Sequence, residues 1–472
     1  MKRILLFLLI GLLPLTILTA QSDDDLFGGD FGSDDALFGS DDDFFGDDSI
    51  AEVSDVAAKS DLSKGVIFDS GSIKVGGSLS AGLDTNTVLW GPDQEDLGDN
   101  IHNTKLTPDL SAMLSVDARP ADNLRIYSKF GFAYPFVDNI AVALGQNNQV
   151  DYSIADWFKL KELFTDFSVK DTAFFRFGVH TVTWGTGYFF SPVSDMINSS
   201  SIDPEHPEKQ VDGSLNLRTQ IIIPNSQNCL WFYVIPSTKF ENQTAETYAR
   251  DTAIAGKADI LLGGWELGLG GLWKYHSAPK AMLTATGSLK KMSFFGEFVY
   301  SYGAAGEWAE NTDWDDKTNI FQATAGFSYY WKEPKLNLAA QYFFEGNDAD
   351  LKKKVTLYGH NVALMVSKGE LFKNPDLSLS LFAMANIGRK EAELSDLLSI
   401  YPMLAAASPA EQDEAIDQAS HVLPALTANL TLNYSPINEL SFGIGPALTF
   451  KDYESNPTVS LKLSAKLGGG KF

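Results

Sequence analysis

Residues 426–434 read Leu-Thr-Ala-Asn-Leu-Thr-Leu-Asn-Tyr. Leu426, Leu430, Leu432 and Tyr434 share one parity; Thr427, Asn429, Thr431 and Asn433 share the other. Successive side chains of a strand point to opposite faces, so this run is a strand with one apolar and one polar face. The pattern recurs throughout the chain. Thr458–Leu467 sets Val459, Leu461, Leu463 and Leu467 against Ser460, Lys462, Ser464 and Lys466. Asp376–Ile387 sets Leu377, Leu379, Leu381, Ala383 and Ile387 against Ser378, Ser380 and Asn386. In Ser214–Ile223, Leu215, Leu217, Ile221 and Ile223 oppose Asn216, Arg218 and Gln220. In Asn123–Tyr134, Leu124, Ile126, Phe130 and Phe132 oppose Arg125, Tyr127 and Lys129.

A soluble β-sandwich has the same period, but three features separate the two cases. These runs are nine to twelve residues long, whereas strands of globular proteins average about five to six. Their apolar faces begin or end on aromatic residues: Tyr134, Trp265 and Trp273, Tyr300 and Tyr302, Tyr329 and Trp331, Tyr342, Tyr434. Such rows suit the two interfaces of a bilayer. Connection lengths also alternate. Eighteen strands are expected, beginning near Ile73, Thr107, Asp122, Lys159, Thr172, Gly213, Asn228, Asp251, Trp265, Pro279, Lys291, Thr318, Lys335, Val355, Asp376, His421, Asn438 and Pro457. Connections after even strands are tight, as at Gly263-Gly264, Leu289-Lys290 and Glu333-Pro334; those after odd strands are mostly long, as at Thr181–Asp212 and Arg389–Ser420. The expectation is an all-β fold: a transmembrane antiparallel up-and-down barrel of about 16–18 strands, spanning residues 71–472. In lipid, a closed sheet satisfies every backbone polar group without edges, and at this strand number the lumen is aqueous.

The chain has 472 residues, 36 basic against 61 acidic, for a net charge of -25. That balance argues against nucleic acid as a partner. The single cysteine, Cys229, excludes an internal disulfide framework and a zinc–cysteine cluster. Residues 1–20 carry Lys2 and Arg3 ahead of an apolar run from Ile4 to Leu18. They read as a signal peptide cleaved after about Ala20. Residues 21–70 form an acidic linker, expected to be disordered and periplasmic. Within it, residues 21–61 hold 14 acidic residues and one lysine, and repeat Asp-Leu-Phe-Gly, Ala-Leu-Phe-Gly and Asp-Phe-Phe-Gly. The segment is either a solvated tail or a set of Phe anchors for a periplasmic partner. Its Asp runs lack EF-hand spacing.

The signal peptide, the amphipathic strands and the final Phe472 together resemble a bacterial outer-membrane β-barrel of the porin-like class. The acidic Phe-Gly segment is similar to those of spirochaete exported proteins. The resemblance implies a cell outer membrane location, both termini in the periplasm, and contact with outer-membrane lipid. It also implies that barrel-assembly machinery reads Phe472. That residue is of the wrong parity for the outward face of the last strand, a departure from the resemblance; a bulge at Gly468–Gly470 could restore the phase.

Inward positions give the candidate pore-lining residues: Arg125, Lys129, Glu162, Asp166, Arg176, His180, Arg218 and Gln220 on strands three to six, then Glu297, Gln341, Glu345, Lys462 and Lys466, with Lys257 and Asp259 beside them. Adjacent strands lie about 5 Å apart, so the first group can form a cross-strand ladder. It either filters small solutes by its field or consists of wall charges satisfied by one another and by water. The loop Thr181–Asp212 carries Trp184, Tyr188, Phe189 and Phe190. It reads as a constriction folded into the lumen or as a loop packed on the rim. In Arg389–Ser420, helical spacing from Leu394 and a start at Ser408-Pro409 predict two short helices. Motifs for acyl transfer, phosphate binding and zinc proteolysis are absent, and no cofactor or metal is called for. Three functions remain: a channel for passive or mildly selective diffusion, a surface-exposed adhesin with an occluded lumen, and a transporter of hydrophobic compounds. The last is suggested by inward Phe174, Trp231, Phe295, Phe343 and Phe382.

Overall fold

A computed structural model describes residues 68–92, 101, 104–134, 158–170, 172–205, 207, 211–238, 244–437 and 439–471. The expected signal peptide, nearly all of the acidic linker and Phe472 lie outside the described residues. Eighteen antiparallel strands run β1 Ile73–Trp90, β2 Lys105–Ala121, β3 Leu124–Ala133, β4 Phe158–Val169, β5 Ala173–His180, β6 Ser214–Ile222, β7 Cys229–Ile235, β8 Ala253–Leu262 and β9 Trp265–Lys274. The second half is β10 Lys280–Leu289, β11 Met292–Tyr302, β12 Asn319–Trp331, β13 Leu336–Glu345, β14 Gly359–Lys368, β15 Leu377–Ile387, β16 Leu426–Ile437, β17 Leu440–Phe450 and β18 Thr458–Lys471. Each strand pairs with its sequence neighbours, and β18 returns to pair with β1, so the sheet closes. A two-residue strand, Phe68–Asp69, pairs with Val75 and Lys74, so sheet contacts begin ahead of residue 71.

The alternation sets the barrel's two faces. On β16, Leu430 is 38% exposed whereas Asn429, pointing inward, is 8% exposed. Leu79, Leu269, Phe442, Ile444 and Leu467 are likewise exposed on the outside. Toward the end of β18 the register shifts between Gly468 and Lys471. Gly468 pairs with Ser80 and Lys471 with Ser78, three steps on β18 against two on β1. Gly468 takes φ +98, and a Cβ there would stand 2.0 Å from the Leu79 carbonyl oxygen, so glycine is needed. One extra residue reverses the parity of every later position on the strand.

Tight turns after even strands rely on left-handed residues: Lys170, Asn225, Lys290 and Lys335 among non-glycines, and the Gly263-Gly264 pair. Such residues match the turn twist to the strand twist. The opposite end carries five described helices, all in connections after odd strands: α1 Ala245–Arg250, α2 Ala305–Glu310, α3 Leu351–Thr356, α4 Leu394–Ile400 and α5 Pro409–Ser420. Both helices expected in Arg389–Ser420 are there. The α5 start is a capping box in which Glu411 N–H donates to Ser408 Oγ and Ser408 N–H donates to the Glu411 carboxylate. Strand limits differ most from expectation in three places. β14 begins at Gly359 because Val355 is buried within α3, which runs to Thr356. His421 caps α5, so β16 starts at Leu426. The β1–β2 arms extend to Trp90 and Lys105, joined near their tips by a Thr87–Thr104 hydroxyl hydrogen bond of 2.8 Å.

Candidate functional site: a loop folded across the lumen

The 181–213 connection between β5 and β6 turns into the barrel. Two inward wall residues receive it. Glu297 on β11 accepts from Thr186 N–H and Gly187 N–H at 2.6 Å each, from the Ser191 hydroxyl at 3.0 Å and from Val193 N–H at 2.9 Å. Gln341 on β13 accepts from Tyr188, Phe189 and Phe190 N–H at 3.0, 2.6 and 3.3 Å, and donates to the Phe190 carbonyl at 2.7 Å. Both side chains are buried, at 4% and 2% exposure. A hydrogen bond to a neutral amide such as Gln341 contributes about 0.5–1.5 kcal/mol, and one to an ionised carboxylate about 1.5–3 kcal/mol. Two glycines permit the approach: a Cβ on Gly185 would lie 2.5 Å from a Glu297 oxygen, and one on Gly187 would lie 1.9 Å from the Phe190 carbonyl.

Apolar anchors complete the docking. Trp184 meets Tyr233 edge-on at 4.8 Å in a cluster with Val182, Val193, Ile197, Trp231, Met282 and Val299. Phe190 stacks on Phe343 at 5.1 Å, and Phe189 contacts Phe382 at 6.0 Å. Tyr188 packs against that second cluster. The Lys257 ammonium donates to the Trp184 carbonyl and pairs with Asp259. Farther along, Glu205 accepts from Asn429 of β16 and Lys462 of β18. The loop thus leaves β5, lines the wall from β7 to β15, and reaches strands on the far side.

The inward charges of β2–β6 form a row. Arg125 donates to Asp117 at 3.0 Å and approaches Asp166 at 3.9 Å. Asp166, 1% exposed, accepts two bonds from Arg176 at 2.6 and 3.0 Å. Arg176 faces Arg218 in register, and each guanidinium lies over an aromatic ring, Phe164 at 4.0 Å and Trp231 at 5.4 Å. Lys129 stands opposite Glu162, and Gln220 opposite Trp231. His180 is fully buried, edge-on to Phe164. Asp166→Ala should therefore be costly, because it leaves two arginines without their shared counter-ion. We expect about 3–5 kcal/mol of destabilisation, read as a lowered temperature for loss of the folded gel band. The expected inward set holds the charged members of this row except Asp117, although Asp117 has the inward parity of β2.

No family model and no curated protein matches the chain. Among solved structures, it is similar to a triple mutant of the Rhodopseudomonas blastica porin, at 11% identity and TM-score 0.39, covering 84% of this chain and 99% of that one. It is also similar to Pseudomonas aeruginosa OccK11, at 9% identity and TM-score 0.43, covering 84% and 95%. No residue role is carried across from either.

The loop divides the lumen unequally. Under it, inner wall residues are buried: Met282, Thr284, Thr324, Ala339, Phe343 and Ala363 are all at or below 5% exposure. On the arc from β17 through β18 and β1 to β2, the inward residues Ser80, Gly82, Asp84, Asp109, Ser111, Ser464 and Lys466 are small or polar and half-buried or exposed, while Gly443, Gly445, Ala447 and Ser460 are small and buried. The Glu205–Lys462 pair borders this arc. Near the long-loop end, Glu345 is wholly buried and accepts from Gln322 and Asn347 N–H, with Lys353 at 3.5 Å. Burial pushes the carboxyl of Asp195, on the inserted loop, up to about 6, against the opposing pull of Lys353. Asp195 and Glu205 lie in the inserted loop and Lys353 in α3, all outside the strands, so the strand pattern could not reveal them. Among the described residues no three His, Cys, Asp or Glu side chains converge as a metal site.

Proposed function

We propose that this chain is an outer-membrane channel passing small polar solutes along an off-centre path between the inserted loop and the β17–β18–β1–β2 arc. The observation that carries the reading is the asymmetry of the inner wall: one side is sealed under the loop, the other is lined by small polar groups. The outside supports membrane insertion, since a continuous belt of exposed leucine, isoleucine and phenylalanine is expected in lipid and costly in water. Hydrophobic transport is disfavoured, because inward Trp231 and Phe343 are buried and spent on packing. Purified protein in planar bilayers should give discrete ohmic steps. Their absence from correctly folded protein would support the occluded, adhesin-like alternative.

In the same reading the long-loop end faces outward, both termini and the acidic segment face the periplasm, and Phe472 is the assembly signal. An epitope inserted at Asn311 or Ser395 should be reached by antibody on intact cells, and one at Lys290 or Pro436 should not. Equal labelling at all four sites would reverse this orientation or remove the barrel from the surface.

A further inference from the structure

A cavity of about 370 Å³ lies between the inserted loop and the wall at the long-loop end. That volume is at the lower end of the range for small-molecule sites. Pro192, Asp195 and Met196 of the loop line one side; Lys274 of β9 and Lys280 of β10 line the wall; Lys353 of α3 lies at the edge. Lys353 is engaged by Glu345. Lys274 and Lys280 have no hydrogen-bond or ion-pair partner among the described residues, while both line the cavity. Across from them the Asp195 carboxylate lines the cavity, hydrogen-bonded by Ser201 and attracted by Lys353 and Lys280. Opposite charges therefore face one cavity without touching each other.

Asp195, Lys274 and Lys280 are half-buried, so water solvates them when the cavity holds no solute, and a bound solute must replace that hydration with contacts of its own. A lone anion would satisfy the lysines but meet Asp195; a lone cation would do the reverse. A molecule with both charges, separated by a few bonds, answers both. We propose that the cavity is a recognition site for a compact zwitterion, such as a free amino acid or dipeptide, with its carboxylate on Lys274 and Lys280 and its ammonium on Asp195. Because Asp195 belongs to the loop and the lysines to the wall, the bound solute bridges the two and holds the loop in place. The binding claim stands apart from the channel reading and is tested without conductance.

The probe is glycylglycine, titrated calorimetrically into detergent-folded full-length protein. N-acetylglycine, which keeps only the carboxylate, and glycinamide, which keeps only the ammonium, serve as controls. Glycylglycine should bind at least about tenfold more tightly than either. Lys280→Met and Asp195→Asn should each remove that preference. Lys352→Gln should leave it unchanged, since Lys352 is exposed on α3 and outside the cavity. Folded state is checked for every variant by heat-dependent gel mobility. Absence of glycylglycine binding to wild type would overturn the proposal, as would equal binding of the three probes. So would a preference that survives both Lys280→Met and Asp195→Asn; if one variant fails to fold, the other decides.

Discussion

Leu430→Arg should nearly abolish assembly of the folded barrel, whereas Thr431→Arg should leave it largely intact. The two positions are neighbours on β16, paired in register with Leu381 and Ser380 of β15, and differ in the face they occupy. Leu430 is on the exposed apolar exterior, where an arginine at mid-membrane depth costs about 2–4 kcal/mol. Thr431 has the inward parity, beside the small Gly443 of β17, where a guanidinium stays hydrated. The measurement is the yield of heat-modifiable protein in membranes. Similar yields for both variants would show that the exterior does not meet lipid, and would remove the membrane reading with it.

The strands were legible because the barrel imposes one rule on every residue of its wall. A period of two, repeated over long runs, fixes which side chains face which solvent, and a one-residue slip would expose every polar group to the apolar side. The same rule exposed the mismatch of parity at Phe472, and the strand carries a register shift between Gly468 and Lys471. The rule also picked out Glu297 and Gln341 as inward residues. What it could not supply was their partners. Both side chains bind backbone N–H groups of a loop more than a hundred residues earlier in the chain, and no local pattern in 181–213 specifies which wall that loop will reach. The aromatic content of Trp184–Phe190 marked the loop as unlike a solvated one, but left rim and lumen equally open. Where local helix signals competed with the strand pattern, as at Val355 and His421, the helix won, since the capped and buried turn satisfies its own backbone before the sheet begins.

Glu297→Ala combined with Gln341→Ala should raise single-channel conductance severalfold. Each side chain shares four hydrogen bonds with the loop. Removing both leaves the N–H groups of residues 186–190 and 193 without partners in a dry interior, a cost of about 1–3 kcal/mol for each group. Moving the segment toward the open arc, or out of the barrel, restores their hydration. The aromatic anchors resist this, so the wild-type loop stays seated when only one polar anchor is weakened. Glu297→Gln alone should have a small effect, because its amide oxygen still accepts from Thr186 and Gly187. The double variant should also become sensitive to protease added from the long-loop side, with cuts between residues 184 and 198. The barrel itself should survive, since both substituted residues point inward and the strand pairing of β11 and β13 is unchanged. Higher conductance together with new cleavage identifies the loop as the constriction. Cleavage without a change in conductance would mean that ions already bypass the loop completely, and the size of the pore would then be set by the arc of β17, β18, β1 and β2.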